Sequence, residues 1–211
     1  MIDRGEILHL TNASLPVKRN RKKRKHKHVR KVALHNKTGR MIEERTQAAY
    51  ERRELGHWEM DLVVGKGKAC LLVMTERMSR KEVLMKLPDK RQASVALALD
   101  RLEKRHGNRF RERFKSLTMD TGCEFLDSDN LEASCLYPGE KRTLCYYAHP
   151  YSAWERGSNE NANKLVRRFI PKGTDIGKLS ADSIKRIEHW MNNYPRRILA
   201  YRTAQKVYSA A

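Results

Sequence analysis

Asp61 lies in the middle of an apolar run, His57–Gly65 (HWEMDLVVG), flanked by Met60, Leu62, Val63 and Val64, with Glu59 the one other acid. A carboxylate in such a run is costly to bury unless it is paired or bound to a metal. The run therefore reads as a buried strand that carries an acid to a partner. Cys70–Thr75 (CLLVMT) reads as a second strand across a turn at Gly65–Lys68. Glu82–Leu87 alternates, with Val83, Met85 and Leu87 on one face, and reads as a third. Three adjacent strands predict an antiparallel meander.

The rest of the chain adds helices and two more strands. Gln92–Arg105 places Val95, Ala98, Leu99 and Leu102 on one helical stripe, ended by Gly107 and Asn108. Phe114–Asp120 (FKSLTMD) is a fourth strand, stopped by Thr121 and Gly122, and Thr143–Ala148 (TLCYYA) a short fifth. Residues 123–142 show no clear period and read as a loop, and Pro150–Gly157 as a turn. Asn159–Phe169 is a second helix, and Ser180 is the N-cap of a third, Ala181–Tyr194. A meander followed by crossover helices predicts an α/β fold: a mixed five-stranded sheet flanked by helices, compatible with a ribonuclease-H-like core.

Charge says what kind of partner the chain has. Lys and Arg number 45 against 25 Asp and Glu, a net charge of +20. Lys18–Lys31 holds ten Lys or Arg and no acid, half of that excess, so the remaining chain is basic in its own right. This favours a polyanion-binding surface over a solubilising tail. The basic stretch is read as a DNA-backbone-binding linker, with Arg21, Lys22, Lys23 and Arg24 as its contacts, rather than a solvated tail or a localisation signal. The expected division is a basic N-terminal arm, 1–50, and a folded domain, 51–208. No window of about 18 apolar residues predicts a membrane span, and no signal peptide is recognised. Cys70, Cys123, Cys135 and Cys145 form no Cys-x-x-Cys pair and read as reduced thiols, without structural zinc. Gly65–Lys68 lacks the spacing of a phosphate-binding loop, so no nucleotide cofactor is expected.

Two further acids sit where side chains reach a site. Asp120 closes the fourth strand beside a glycine turn. Glu160 begins the second helix, sharing a face with Asn163, Lys164 and Arg167, while Ala162, Leu165, Val166 and Phe169 share the opposite one. Periodicity alone favours an ordinary amphipathic surface helix with a Glu160–Lys164 salt bridge. The motifs change that reading. Gly56-His57-Trp58-Glu59-Met60-Asp61, Asp120-Thr121-Gly122-Cys123-Glu124-Phe125, and the long Pro150-Tyr151-Ser152-Ala153-Trp154-Glu155-Arg156-Gly157-Ser158-Asn159-Glu160-Asn161 occur in that order. With Phe169–Asp175 (FIPKGTD) and Asn192–Arg197 (NNYPRR), they resemble the IS30 family of bacterial insertion-sequence transposases, from about Arg52 to Tyr208.

That resemblance implies an integrase-like catalytic core with an acidic triad, carried over by motif as Asp61, Asp120 and Glu160. Three such carboxylates suit two Mg²⁺ or Mn²⁺ ions, which prefer hard oxygen ligands. The implied reaction is metal-dependent strand cleavage and strand transfer in DNA transposition. Its partners are DNA, as transposon ends and target, and further copies of the chain when active, in the bacterial cytoplasm at the nucleoid. Lys164, Arg167 and Lys172 are candidate phosphate contacts. The family's N-terminal helix-turn-helix region, which reads the transposon ends, is expected to be missing. The alternative is therefore a truncated remnant that binds DNA and cuts nothing. Met60 stands where the family usually has glycine, and 39 residues separate Asp120 from Glu160, several more than usual. Among the remaining residues, Glu59 is equally an acid supporting Asp61 or a structural one, and Glu124 is a weaker candidate for assisting the metal. Trp58 and Trp154 read as core aromatics rather than base-stacking platforms, Trp190 as helix packing and His57 as structural.

Overall fold

The computed structural model describes residues 39–150 and 152–210; Arg21, Lys22, Lys23 and Arg24 lie outside them. The sheet is built outward from β2 (His57–Val64). Short turns connect it to β3 (Cys70–Glu76) and then β4 (Glu82–Leu87), and all three pair antiparallel, as tight turns require. On its other side β2 pairs parallel with β5 (Ser116–Met119), and β5 pairs parallel with β6 (Leu144–Tyr147). These returns need long crossovers. The first is α2 (Gln92–His106) with the short α3 (Phe110–Arg113); the second contains α4 (Ser128–Glu132). The meander-plus-crossover order is that of a ribonuclease-H-like core.

The sheet has six strands rather than five, in the order β1-β6-β5-β2-β3-β4. The extra one is β1 (Arg40–Met41), parallel to β6, with α1 (Gln47–Glu51) just after it. Residues 40–50, assigned from the sequence to the arm, thus form sheet and most of a short helix. Two residues are too short to show a period, and Arg40 is held by an ion pair to the buried Glu132 rather than by apolar contacts. The stretch 123–142 is also more ordered than a loop. It forms a tight turn at Cys123–Phe125 and then α4.

Alternation along β2 sorts its side chains. Trp58, Met60 and Leu62 enter the core under α2, with Val95, Leu99 and Leu102. Trp58 stacks on Phe114 at 4.8 Å between ring centroids and donates its indole N–H to the Arg113 carbonyl at 2.7 Å. Val63 enters a second core on the other face, with α5 (Gly157–Phe169) and α6 (Ala181–Asn193). β2 is paired to β3 without interruption from Trp58 to Val64, so Glu59 and Asp61 share Val63's face. At the far end Gly65 lets the chain pass under residues 174–176; a Cβ there would lie 2.1 Å from the Thr174 carbonyl oxygen. The chain closes with α7 (Ala204–Ala210).

The β4 edge is covered by α6. The Glu82 N–H donates to Asn192 Oδ1 at 2.8 Å and the Leu84 N–H to Glu188 Oε2 at 2.7 Å. Asn192 Nδ2 returns a bond to the Glu82 carbonyl at 2.9 Å. The Glu82 carboxyl is fully buried, accepting from Thr75 Oγ1 at 2.7 Å and facing Arg196 at 3.2 Å. Burial pushes this carboxyl up to about 7, against the pull of Arg196 and of the Thr75 hydroxyl. The fold therefore favours the neutral form. That contribution, on the order of 3 kcal/mol, is complete below the ordinary value of 4.5 and is lost as pH rises through about 7. The melting temperature of Glu82→Gln should therefore change less between those pH values than that of the wild type, as read by calorimetry. Equal slopes would show that Glu82 ionises normally.

Candidate active site

The register between β2 and β5 sets the site. Glu59 lies opposite Thr118 in that parallel pair. Continuing two residues brings Asp61 level with Asp120, which follows the last residue of β5. Asp61 Oδ1 accepts the Leu62 N–H at 2.8 Å, and Oδ2 accepts from Asn163 Nδ2 of α5 at 2.8 Å. Asp120 Oδ1 accepts the Gly122 N–H at 3.1 Å, folding the turn back over the carboxylate. That fold requires glycine: a Cβ on Gly122 would lie 2.9 Å from Asp120 Oδ1 and 2.9 Å from Glu124 Cδ.

A cation stands between the two aspartates. Arg156 Nη2 donates to Asp120 Oδ2 at 3.0 Å, while Nη1 lies 3.8 Å from Asp61 Oδ2 and donates to the Met60 carbonyl at 3.3 Å. The Arg156 side chain is 13% exposed, and its buried Nε has no hydrogen-bond partner among the described residues. Burial holds the Asp61 carboxyl above its usual range. Arg156 pulls it down, while Asp120 pushes it up further. Two carboxylates so placed attract positive charge strongly. Sequence reasoning gave Arg156 no role, although it sits inside the long third motif.

Glu160 is on α5 one turn before Asn163, but its carboxylate is turned to Lys164 Nζ at 2.9 Å, the i, i+4 pair that periodicity favoured. The structure thus brings Asp61 and Asp120 to one guanidinium and leaves Glu160 on the adjoining helix edge. Among the described residues, the acidic and thiol groups whose ligand atoms lie within 4.8 Å of one another are instead Asp100, Glu103 and Cys135. Arg142 Nη1 pairs with both of those acids, so that cluster already has its cation.

The helix carrying Glu160 is fixed by Glu59. This fully buried acid accepts from Arg77 Nη1 at 2.6 Å and from the Asn159 N–H at 2.9 Å. Asn159 Nδ2 donates to the Glu59 and Val73 carbonyls, each at 3.0 Å, stitching the first turn of α5 across β2 and β3. Glu59 is therefore structural and holds up the site next to it. Glu124 is engaged by Lys90 at 3.1 Å. His57 is structural, between Ser116 Oγ at 2.7 Å and Glu54 Oε1 at 2.8 Å. Trp58 and Trp190 pack as read, but Trp154 is corrected: it is 75% exposed, because the turn of Ala153–Arg156 points it away from both cores. Of the expected phosphate contacts, Lys172 is exposed and forms no ion pair among the described residues, Lys164 is held by Glu160, and Arg167 Nη2 donates to the Val64 carbonyl at 2.8 Å.

Comparison with known proteins finds transposases. The chain is 35% identical over 173 residues to a probable transposase for the insertion-like sequence element IS1161 of Streptococcus salivarius, covering 81% of this chain and 46% of that protein. It is 34% identical over 173 residues to a transposase for the IS30C element of Escherichia coli K12, covering 80% and 42%. The chain is a relative of the IS30 transposases. A transposase for IS4351 of Bacteroides fragilis is 31% identical over 169 residues, covering 79% and 48%. The chain spans less than half the length of each of these IS30-type relatives. No protein-family model matches it. Among the described residues, no helix is long and apolar enough to cross a membrane.

The Glu59 clamp makes a prediction for this IS30 relative. Arg77→Met strands a buried carboxylate, and the expected loss is about 3 kcal/mol of stability in chemical denaturation. Adding Glu59→Gln to that variant should recover part of it. A loss below about 1 kcal/mol in the single variant would mean that the clamp is not load-carrying.

Proposed function

We propose that the chain is the catalytic core of a DNA transposase that cuts and joins DNA strands with Mg²⁺ or Mn²⁺ held by Asp61, Asp120 and Glu160. The observation that carries the reading is the Arg156 guanidinium set between Asp61 and Asp120: acids from two neighbouring strands directed at one cation. The donor set suits a hard divalent ion. Both aspartates offer oxygen, and Asn163 Oδ1, on the amide that holds Asp61, is buried without a hydrogen-bond partner among the described residues. Bound there, such ions would activate the attacking hydroxyl and stabilise the leaving 3′-oxygen. The chain's own residues prepare this. Asn163 and the Leu62 N–H fix the Asp61 carboxylate, the Gly122 turn fixes Asp120, and the Glu59 clamp fixes the first turn of α5, where Glu160 lies. Glu160 would be free to join the donor set by leaving Lys164, an exposed pairing of small worth.

DNA is the proposed substrate, as transposon end and target. Lys164, Arg167 and Lys172 contact phosphates near the site, and Arg21, Lys22, Lys23 and Arg24 contact them from the arm. In this reading the catalytic unit begins by Arg40, since β1 belongs to the sheet. Joining two ends needs more than one copy of the chain, acting at the bacterial nucleoid.

The test is a labelled duplex carrying a free 3′-hydroxyl transposon end, incubated with Mg²⁺ or Mn²⁺ beside Asp120→Asn. Cutting or joining that needs the metal and is absent in the variant is expected. Mn²⁺ should also raise the melting temperature of the wild type and not of Asp61→Asn. Salt-sensitive DNA binding with no product and no metal-dependent stabilisation would instead identify an inert DNA-binding remnant.

A further inference from the structure

On the flank of α5 away from Asn163 lies a cavity of about 440 Å³. Five cations line it, Arg52, Arg80, Lys164, Arg168 and Arg196, and no acid does. Arg52 and Arg168 form no ion pair among the described residues. Arg80 is buried in the turn between β3 and β4, at φ 63, with its guanidinium donating to Ser158 Oγ. Burial, then Arg52, with Arg77 and Arg196 behind it, pulls Arg80 down to about 10; Glu59 opposes them. It stays charged at neutral pH among like charges. Arg196 lines the same cavity with a nine-tenths buried side chain, and its Nε has no hydrogen-bond partner among the described residues.

The helix adds to this. The first turn of α5 opens onto the cavity through Gly157 and Ser158, and its N-cap, Arg156, supplies no side-chain cap. The helix is 13 residues long, so its N-terminal end carries partial positive charge, although its Asn159 N–H is already taken by Glu59. Nothing lies within 4 Å of where a Gly157 Cβ would be, which leaves room beside the backbone. Cations gathered without an acid in the lining, beside the positive end of a helix, are what a tetrahedral oxyanion binds.

We propose that this cavity binds a backbone phosphate of DNA, held by Arg52, Arg80 and Arg168 beside the first turn of α5. The phosphate chemistry stands on the cavity alone; that the phosphate belongs to DNA rests on the transposase reading. The site lies across α5 from Asp61, so one duplex draped over this helix meets both flanks. Cleavage chemistry plays no part in the test, so failure of the metal site and failure of this site are separable.

The experiment is fluorescence anisotropy of a labelled duplex with the full chain, in EDTA, over a range of salt. Arg168→Glu should weaken binding about tenfold and reduce the slope of log affinity against log salt by about one. Arg52→Asn, which keeps a residue tolerant of the left-handed backbone at φ 59, should weaken it severalfold. Lys104→Glu, an exposed position on α2 across the sheet, makes the same charge change as Arg168→Glu and should stay within about twofold of wild type. Circular dichroism melts confirm that each variant is folded. Equal losses in Arg168→Glu and Lys104→Glu would overturn the proposal, because only net charge would then matter. Titration with inorganic phosphate is the second arm. Phosphate binding abolished by Arg168→Glu, with duplex affinity unchanged, would make this a free-anion site and overturn the DNA assignment.

Discussion

Glu59 has no water to ionise into, so its charge must be met inside the protein. Arg77 meets it from the end of β3, and the Asn159 N–H meets it from the start of α5. Remove the acid and the helix keeps only the Asn159 side-chain bonds to the Glu59 and Val73 carbonyls at that height. The two faces of β2 then divide the work. One face is apolar and holds α2; the other carries Glu59 and Asp61 two residues apart, the first for architecture and the second for the site. A strand with this pattern cannot slip by one residue, since both carboxylates would enter the α2 core.

The positive charge of the chain has an inside and an outside. Arg77, Arg142 and Arg156 answer particular acids, and their removal would leave those acids stranded. Arg52 and Arg168 answer none among the described residues. Some cations of this basic chain are thus tied up in its architecture, and others are left without an acid. The two sets meet along α5, where the same helix turns Asn163 to an aspartate on one flank and Arg168 to the cavity on the other.

Much of this was legible in the sequence, for identifiable reasons. β2, β3 and α2 announce themselves because long apolar runs and a clean helical stripe leave few alternatives. Asp61 stood out because it interrupts such a run, and Glu160 because the long motif around it is specific. β1 was not legible: two residues have no period, and an ion pair to Glu132 across 92 positions holds Arg40 in place. Residues 123–142 read as loop for a similar reason. Their order depends on Glu132 accepting the Cys145 N–H at 2.7 Å and on Arg142 donating to the Leu131 carbonyl at 2.9 Å, partners that no local pattern reveals. Trp154 was misplaced because a large aromatic residue in a motif invites a core position, whereas the backbone turn decides its direction. Arg156 was overlooked because a cation among many in a basic chain is not conspicuous until the acids facing it are known.

The cover that α6 lays over β4 has a consequence for assembly. The outward amides of Glu82 and Leu84 are already taken by side chains one helical turn apart on α6. A strand from another molecule finds no free ladder there to extend. Two copies of this chain cannot fuse their sheets across that border. Any contact between copies on that side has to be made by side-chain surfaces rather than by a shared sheet.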